Sequence, residues 1–168
     1  VEPERWERGN ACLSGALLEL ALDRSEVEPE GPTRPTSGLD FRPRLVHRID
    51  KDTTGAVLVA KDLASERRLR EAFASEGVRK SYLALVEGEY PLADDEDEVI
   101  DAPIGPDRRR SGRMRIDERD GKPSRTRVRV EERFRGYTLL RCEPLTGRTH
   151  QIRVHLASVG FPLVVDPV

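Results

Sequence analysis

The sequence predicts an α+β domain built on a mixed, largely antiparallel β-sheet flanked by short helices. Segments with strand periodicity and segments with helix periodicity interleave along the chain, and two strand-like segments flank a tight turn at Gly136, which is typical of a hairpin. The 168 residues are the length of one domain and contain no internal repeat. The chain has no apolar run near 18 residues, so a membrane span is not supported.

The N-terminal part of the chain predicts two helices, a linker and one strand. Apolar residues recur at helical spacing between Asn10 and Arg24. Residues 25–43 contain four Pro and two Gly, which indicates a linker or loop. The continuous apolar run 56–60 predicts a buried central strand. Asp62 can cap a helix that runs to Ser75. Its predicted inward residues are Leu63, Leu69, Ala72 and Phe73.

The C-terminal part predicts hairpins and a final short helix. The elements are a strand at 79–87, an acidic surface loop at 94–98, a basic loop or hairpin at 108–121, strands at 126–134 and 137–143, a polar turn at 146–149, and a helix at 150–159. In the first strand Tyr82, Ala84 and Val86 share one face. In the second the predicted inward residues are Thr126, Val128, Val130 and Phe134.

Charge and cysteine content narrow the functional classes. The formal net charge of −2 shows that the chain as a whole is not a basic nucleic-acid binder. Residues 107–129, however, hold ten basic residues against four acidic ones, which indicates either a solvated face or a contact with an RNA backbone. Only four of the 29 basic residues are Lys; the Arg excess suits phosphate and base recognition, but codon bias is the favoured explanation for the excess as a whole. Cys12 and Cys142 lack CxxC spacing, which fits reduced thiols in a cytosolic protein.

Three polar clusters lie at the ends of otherwise well-patterned elements. They are His47–Gly55 before the apolar run, Lys80–Tyr82 at the start of a strand, and Gly147–His155 across a turn and a helix start. Polar residues at element ends are where functional sites tend to be built.

These clusters carry a family resemblance. HRIDKDTTGAVLVAKD resembles the HRLD-containing signature of RluA-type RNA pseudouridine synthases, KSYLALVEG is similar to their second motif, and TGRTHQIRVHLASVGFPLVVDP is similar to their third. The resemblance runs from about Leu39 to the end of the chain. It implies a pseudouridine synthase-like fold and an isomerase that converts specific uridines in structured RNA, ribosomal or transfer, to pseudouridine. It also implies that neither a metal nor a cofactor takes part.

The resemblance implies three catalytic residues. Asp50 is the nucleophile, because the reaction needs a group that attacks well and also leaves well while the uracil is detached, turned over and rejoined through C5. Its carboxylate must be ionised where water is excluded, and a guanidinium at the position of Arg153 favours that charged form. We therefore expect residues 50 and 153 to meet. Tyr82 is expected to stack on the displaced uracil and to be a candidate for moving the C5 proton.

The remaining implied residues contact RNA or shape the site. Arg48 is expected to fill the gap that the flipped base leaves, and His47 to position the loop through hydrogen bonds. Arg148 is expected to hold the phosphate backbone. Further contacts with the RNA or with its uracil are implied for Lys80, Gln151 and Ile152.

The sequence departs from the family pattern at both ends. The N-K-P-type motif and its strands are not seen before Asn10, and the elements that normally follow the DP motif are not seen, so we expect residues 1–168 to be a partial catalytic domain. We expect a monomer located in the cytoplasm. An alternative is a catalytically inactive RNA-binding or remodelling module of the same fold. A metal hydrolase using His47, Asp50, His150 and His155 is disfavoured, because the last two are five residues apart and a Gln follows the first of them.

Overall fold

The computed structural model describes residues 13, 16, 17, 43–75, 77–164 and 166. The chain divides into two compact units, Val1–Gly77 and Val78–Val168. Leu13, Ala16 and Leu17 are helical, as predicted. The rest of that helix, Cys12 and the linker up to residue 42 lie outside the described residues.

The first unit contains a small antiparallel strand pair and a helix. Strand β1 (Arg44–Leu45) pairs with β2 (Val59–Ala60), and helix α1 spans Leu63–Ala74. The helix begins where predicted, because the Asp62 carboxylate accepts hydrogen bonds from the backbone N–H of Ser65 at 2.7 Å and from its hydroxyl at 2.9 Å. These bonds lower the pKa of Asp62.

The predicted buried central strand at 56–60 is wrong. Only its last two residues join a ladder, since β1 offers only two partners, and the Leu58 side chain is 45% exposed. An apolar run shows that a segment tolerates burial, but it does not show that a neighbouring strand exists to cover it. Leu63 is also exposed, contrary to prediction. It stands about two and a half helical turns before Ala72, so the two side chains leave α1 on opposite sides.

The second unit is an antiparallel sheet with a short hairpin and one helix. Its elements are β3 (Tyr82–Glu87), β4 (Asp97–Asp101), β5 (Ile104–Pro106), β6 (Met114–Ile116), β7 (Arg125–Phe134), β8 (Tyr137–Pro144) and α2 (Gln151–Ser158). The four-stranded sheet has the order β3-β8-β7-β4, and β5 pairs with β6. All these pairings are antiparallel, which confirms the predicted α+β class.

The core of this unit lies on one face of the four-stranded sheet. Alternate residues of β3, β7 and β8 point into it together with Leu156 of α2, as the strand periodicity predicts. The buried strand residues are Ala84, Val86, Val128, Val130, Leu140 and Cys142. Cys142 is a free thiol, as predicted, and its burial raises its pKa to about 12.

Two predictions for this unit are corrected. The acidic stretch 94–98 is not entirely a loop, because Asp97 and Glu98 pair with β7. Phe134 is 43% exposed, because the register shifts after Val130. Val130 lies opposite Leu140, whereas Glu132 lies opposite Leu139, so one extra residue interrupts the alternation.

The basic stretch 108–121 belongs to the β5–β6 hairpin and the turn that follows it, so the hairpin prediction is confirmed. Along the described ranges, no helix combines the length and the apolar character that crossing a bilayer requires.

Candidate active site

The first polar cluster forms a loop whose ends are joined by one side chain. The Leu58 backbone N–H donates to His47 Nε2 at 2.8 Å, which is a loop-positioning hydrogen bond of the kind expected for His47. Because Nε2 accepts here, it carries no proton, and the ring is neutral with its hydrogen on Nδ1. The same ring stacks on Phe73 of α1, with centroids 4.8 Å apart and planes 20° from parallel.

Asp50 lies inside this loop. The backbone N–H of Thr53 donates to its carbonyl oxygen at 3.1 Å, which makes a tight turn, and the residue is half-buried. Among the described residues of the first unit, no side chain pairs with its carboxylate. Arg48, two positions earlier, is exposed. The loop therefore presents a cation to solvent and a carboxylate that is only partly covered.

Helix α1 anchors the strand that leads into this loop. Glu66 pairs with Arg44 of β1 at 3.2 Å and with Arg70 one turn later at 3.0 Å. Arg70 also donates to the carbonyl oxygen of Leu45 at 3.3 Å. These contacts fix the backbone immediately before His47.

The second polar cluster adjoins the third in the second unit. Tyr82 opens β3 on the same face as the buried Ala84, and it is itself half-buried. Lys80 approaches the turn at Gly147: a Cβ atom built on that glycine would lie 3.6 Å from Lys80 Nζ. The predicted Lys80 and Arg148 are thus brought to one turn.

The third cluster has an unusual backbone. His150 has a φ of 56°, the one non-glycine residue of the described ranges in the left-handed region. Helix α2 begins directly after it, and the Arg148 guanidinium donates from Nε to the Pro123 carbonyl oxygen at 3.2 Å. Strained backbone is found preferentially at functional sites, where the surroundings hold it in place.

Arg153, the predicted catalytic guanidinium, has a strong partner. Its Nε donates to Asp166 Oδ2 at 2.7 Å, and a second N–H of the same guanidinium donates to Oδ1. The Arg153 side chain is 24% exposed and that of Asp166 is 9% exposed. A bidentate pair fixes the plane of the guanidinium as well as its position. Asp166 is a residue that sequence reasoning missed, although it lies in the quoted third motif.

Gln151 is buried and Ile152 is partly buried, and their predicted contacts with the RNA and its uracil stay predictions. The Gln151 amide is buried, and its hydrogen bonds go to Thr146, Arg148, Arg125 and Thr126, all within the unit. Ile152 packs against the hydrophobic core. These contacts favour a positioning role for Gln151 and a partly structural role for Ile152.

Much of the basic stretch 107–129 is neutralised by acidic neighbours. The ion pairs are Arg108–Asp120, Arg115–Asp117, Arg125–Asp101, Arg127–Glu143 and Arg129–Asp97. Its charge excess is therefore smaller at the surface than the sequence indicates. Lys80 and Arg148, by contrast, form no ion pair with any acid in the described parts of the chain.

Two of the three histidines of the disfavoured metal hydrolase have ring nitrogens that are already hydrogen-bonded. His155 is fully buried, and its ring nitrogens lie 2.9 Å from Thr126 Oγ1 and 2.9 Å from the Ala102 carbonyl oxygen. Both nitrogens are thus occupied, as is Nε2 of His47. Neither ring can bind a metal through these atoms without breaking a hydrogen bond.

The three polar clusters belong to a stretch of sequence that is similar to known proteins. A family model described as RNA pseudouridylate synthase matches residues 25–158. Ribosomal large subunit pseudouridine synthase D of Nitrosomonas europaea is 43% identical over 160 residues, covering 95% of this chain and 42% of that protein. Ribosomal large subunit pseudouridine synthase C of Escherichia coli is 45% identical over 124 residues, covering 73% of this chain and 38% of that protein. The chain thus spans about two fifths of the length of these curated relatives.

Two solved human structures share the fold. RNA Pseudouridylate Synthase Domain Containing 4 superposes with a TM-score of 0.68 at 26% identity, covering 91% of this chain and 57% of that chain. RNA Pseudouridylate Synthase Domain Containing 1 superposes with a TM-score of 0.65 at 33% identity, covering 73% of this chain and 53% of that chain.

Proposed function

Because the chain belongs to the RNA pseudouridylate synthase family, we propose that it converts uridine in RNA to pseudouridine, with Asp50 as nucleophile. The observation that carries the proposal is the family match itself, since residues 25–158 include the loop of Asp50, the strand of Tyr82 and the helix of Arg153. The relatives named for the large ribosomal subunit favour ribosomal RNA over transfer RNA as the substrate.

The proposed reaction balances without a redox partner. An Asp50 carboxylate oxygen attacks C1′ of the target ribose, and the C1′–N1 bond breaks with its electron pair going to the uracil. The uracil turns over, C5 bonds to C1′, and the Asp50 carboxylate leaves. The proton on C5 is then removed, a transfer for which the Tyr82 hydroxyl is the candidate, and N1 takes up a proton in its place, so that the product is an isomer of the substrate.

Arg153 supplies the guanidinium in this scheme, with part of its charge offset by Asp166. Its pair with Asp166 holds the guanidinium rigid, and a preorganised charge stabilises a carboxylate without reorganising during the reaction. That Asp50 and Arg153 act on one nucleotide stays a prediction. A double-mutant cycle on pseudouridine formation tests it, and coupling between the two residues is the expected result.

RNA contact is proposed for Lys80 and Arg148. Two cations at one turn suit a phosphate, and no acidic side chain among the described residues pairs with them, so their charge is available. Arg48 is exposed on its loop, and we propose that it replaces the flipped base in the stack. Cytoplasmic location, a monomeric state and independence from metal stay predictions.

The decisive experiment measures pseudouridine in large-subunit ribosomal RNA transcribed in vitro and incubated with the protein. Asp50→Asn should lower the rate on the order of 10⁶-fold, as removal of a nucleophile does in a well-studied hydrolase. Asp52→Asn, an exposed carboxylate of the same loop, is the matched control and should retain activity. Product formation that survives Asp50→Asn contradicts the assignment. Activity on transfer RNA alone would instead correct the substrate.

Binding of the same RNA tests the contact residues. Lys80→Ala and Arg148→Ala should each reduce the slope of log affinity against log salt by about one unit. Arg129→Ala removes a cation that is already paired with Asp97 at 2.7 Å, so it should change the slope less. Equal effects from all three substitutions would show that the turn is not a phosphate contact.

A further inference from the structure

A chain of buried hydrogen bonds runs beneath the turn that carries Arg148 and the helix that carries Arg153. Thr126 and His155 are fully buried, and Gln151 is 4% exposed. Gln151 Nε2 donates to Thr126 Oγ1 at 3.0 Å and to the Arg125 carbonyl oxygen at 2.8 Å. Thr126 Oγ1 in turn lies 2.9 Å from His155 Nδ1. Buried polar groups are tolerated only when they are paired in this way.

The partners determine where each proton lies. His155 Nε2 lies 2.9 Å from the Ala102 carbonyl oxygen, which can only accept, so Nε2 carries the hydrogen. In the neutral ring Nδ1 accepts, and the Thr126 hydroxyl donates to it while accepting from Gln151. The chain therefore has one direction, from the amide through the hydroxyl to a neutral imidazole. Burial lowers the pKa of His155, which agrees with the neutral form.

The other end of the Gln151 amide holds the turn. Its Oε1 accepts from the backbone N–H of Arg148 at 3.0 Å and from the Thr146 hydroxyl at 2.8 Å. Thr146 Oγ1 also accepts from the backbone N–H of Arg125 at 3.0 Å, which ties the turn to β7. The amide thus bridges the turn across His150, the residue in the left-handed conformation.

We propose that Gln151, Thr126 and His155 are positioning residues that aim the Arg148 and Arg153 side chains through this buried chain. The proposal rests on the RNA roles proposed above for the two arginines. The Arg148 backbone N–H donates to Gln151 Oε1, a member of the chain, and Arg153 lies on the helix turn between Gln151 and His155, both of which are anchored to β7. A small displacement of a charged catalytic group can lower the reaction rate many-fold. Loss of this hydrogen-bond chain should therefore lower activity by more than the loss of stability explains.

A purely structural role makes a different prediction, and Val154→Ala is the control that separates the two. Val154 is buried on the same helix and takes no part in the chain. Its truncation should lower stability while leaving both arginines in place. Thr126→Val keeps the shape of the side chain but removes the hydroxyl, and Thr126→Ser keeps the hydroxyl.

The test compares kcat and RNA affinity of these variants on large-subunit ribosomal RNA transcribed in vitro, together with the tautomer of His155 from nitrogen-15 NMR. Thr126→Val and Gln151→Ala should lower kcat by about tenfold or more relative to Val154→Ala, and Thr126→Ser should recover most of the loss. The NMR signature of a hydrogen-bonded Nδ1 acceptor should be altered in Thr126→Val only.

The outcomes are distinguishable. If kcat and RNA affinity in Thr126→Val and Gln151→Ala match those of Val154→Ala, the positioning role is overturned and the chain is structural. If the unmutated protein binds the RNA but forms no pseudouridine, the catalytic proposal fails. In that case RNA affinity alone tests the positioning role. The role is supported if Thr126→Val weakens RNA binding as much as Arg148→Ala does. It is overturned if Thr126→Val leaves binding unchanged, or if the unmutated protein binds no RNA.

Discussion

The two units hold their candidate residues in different ways. In the first, Asp50 lies in a loop whose ends are joined by a single hydrogen bond from Leu58 to His47, and among the described residues only Val46 and Ala60 are buried. In the second, Arg153 lies on a helix that covers the core of a four-stranded sheet. Segments with few buried contacts open locally at low free-energy cost, whereas a packed sheet opens only with the whole unit. Among the described residues, the proposed nucleophile thus lies in a loop with few buried neighbours, whereas Arg153 lies on a helix that packs on a sheet.

The largest expected difference between the units lies in their response to truncation of a leucine. Leu140→Ala empties a fully buried position in β8 and should lower the free energy of unfolding by about 2–5 kcal/mol. Leu58→Ala, at a position that is 45% exposed, should cost less than about 1 kcal/mol. Urea unfolding followed by circular dichroism measures both. Similar losses would show that the first unit is as tightly packed as the second.

The next largest effect is expected from the carboxylate of Asp166, which pairs with Arg153 in the second unit. Asp166→Asn removes the carboxylate that holds Arg153. We expect the free energy of unfolding to fall by about 1–3 kcal/mol and the rate of pseudouridine formation to fall as well. Asp120→Asn is the matched control, because its pair with Arg108 has side chains that are 64% and 74% exposed and should contribute below about 1 kcal/mol. If Asp166→Asn leaves the rate of pseudouridine formation unchanged, the Arg153–Asp166 pair does not contribute to catalysis.

The buried imidazole of the second unit should make stability depend on pH. Burial holds the pKa of His155 below its ordinary value of 6.5, so the unfolded chain takes up a proton before the folded one does. The contribution of His155 to the free energy of unfolding is fully present above pH 6.5. It is lost as the pH falls towards the folded-state pKa, by up to about 1.4 kcal/mol per pH unit. Urea titrations at several pH values measure the slope. Protonation of His155 in the folded protein at pH 6.5 or above, seen by NMR, would contradict this prediction.

The smallest expected effect is local to the first unit. His47→Ala removes the acceptor for Leu58 and the ring that stacks on Phe73, at a cost of about 1 kcal/mol. Amide hydrogen exchange at Leu58 should accelerate while exchange in β7 and β8 stays unchanged. Phe73→Leu removes the aromatic partner but keeps the hydrogen bond, so its effect at Leu58 should be smaller. An unchanged exchange rate in His47→Ala would mean that other contacts hold the loop.

Sequence reasoning succeeded where a pattern reports directly on the local environment. The alternation of Tyr82, Ala84 and Val86 predicts a strand in which they share one face, and Asp62 as a capping residue predicts the start of α1. It failed where the outcome depends on a distant partner. The apolar run at 56–60 lacks a long strand to pair with, and the bulge after Val130 turns Phe134 outwards. Neither partner can be read from the segment itself.

The sequence by itself determined the family, the order of the three motifs and the types of side chain that the chemistry needs, because these depend only on residue identity and spacing. The tertiary structure alone decided which charges are already paired and which polar side chains are buried. Three features show this: the Arg153–Asp166 pair, the neutral His155 and the hydrogen bonds of Gln151 within its unit. Each depends on contacts between residues that are well separated in the chain. The physical reason is that hydrogen bonding and burial are properties of three-dimensional neighbours, and one-dimensional spacing does not specify them.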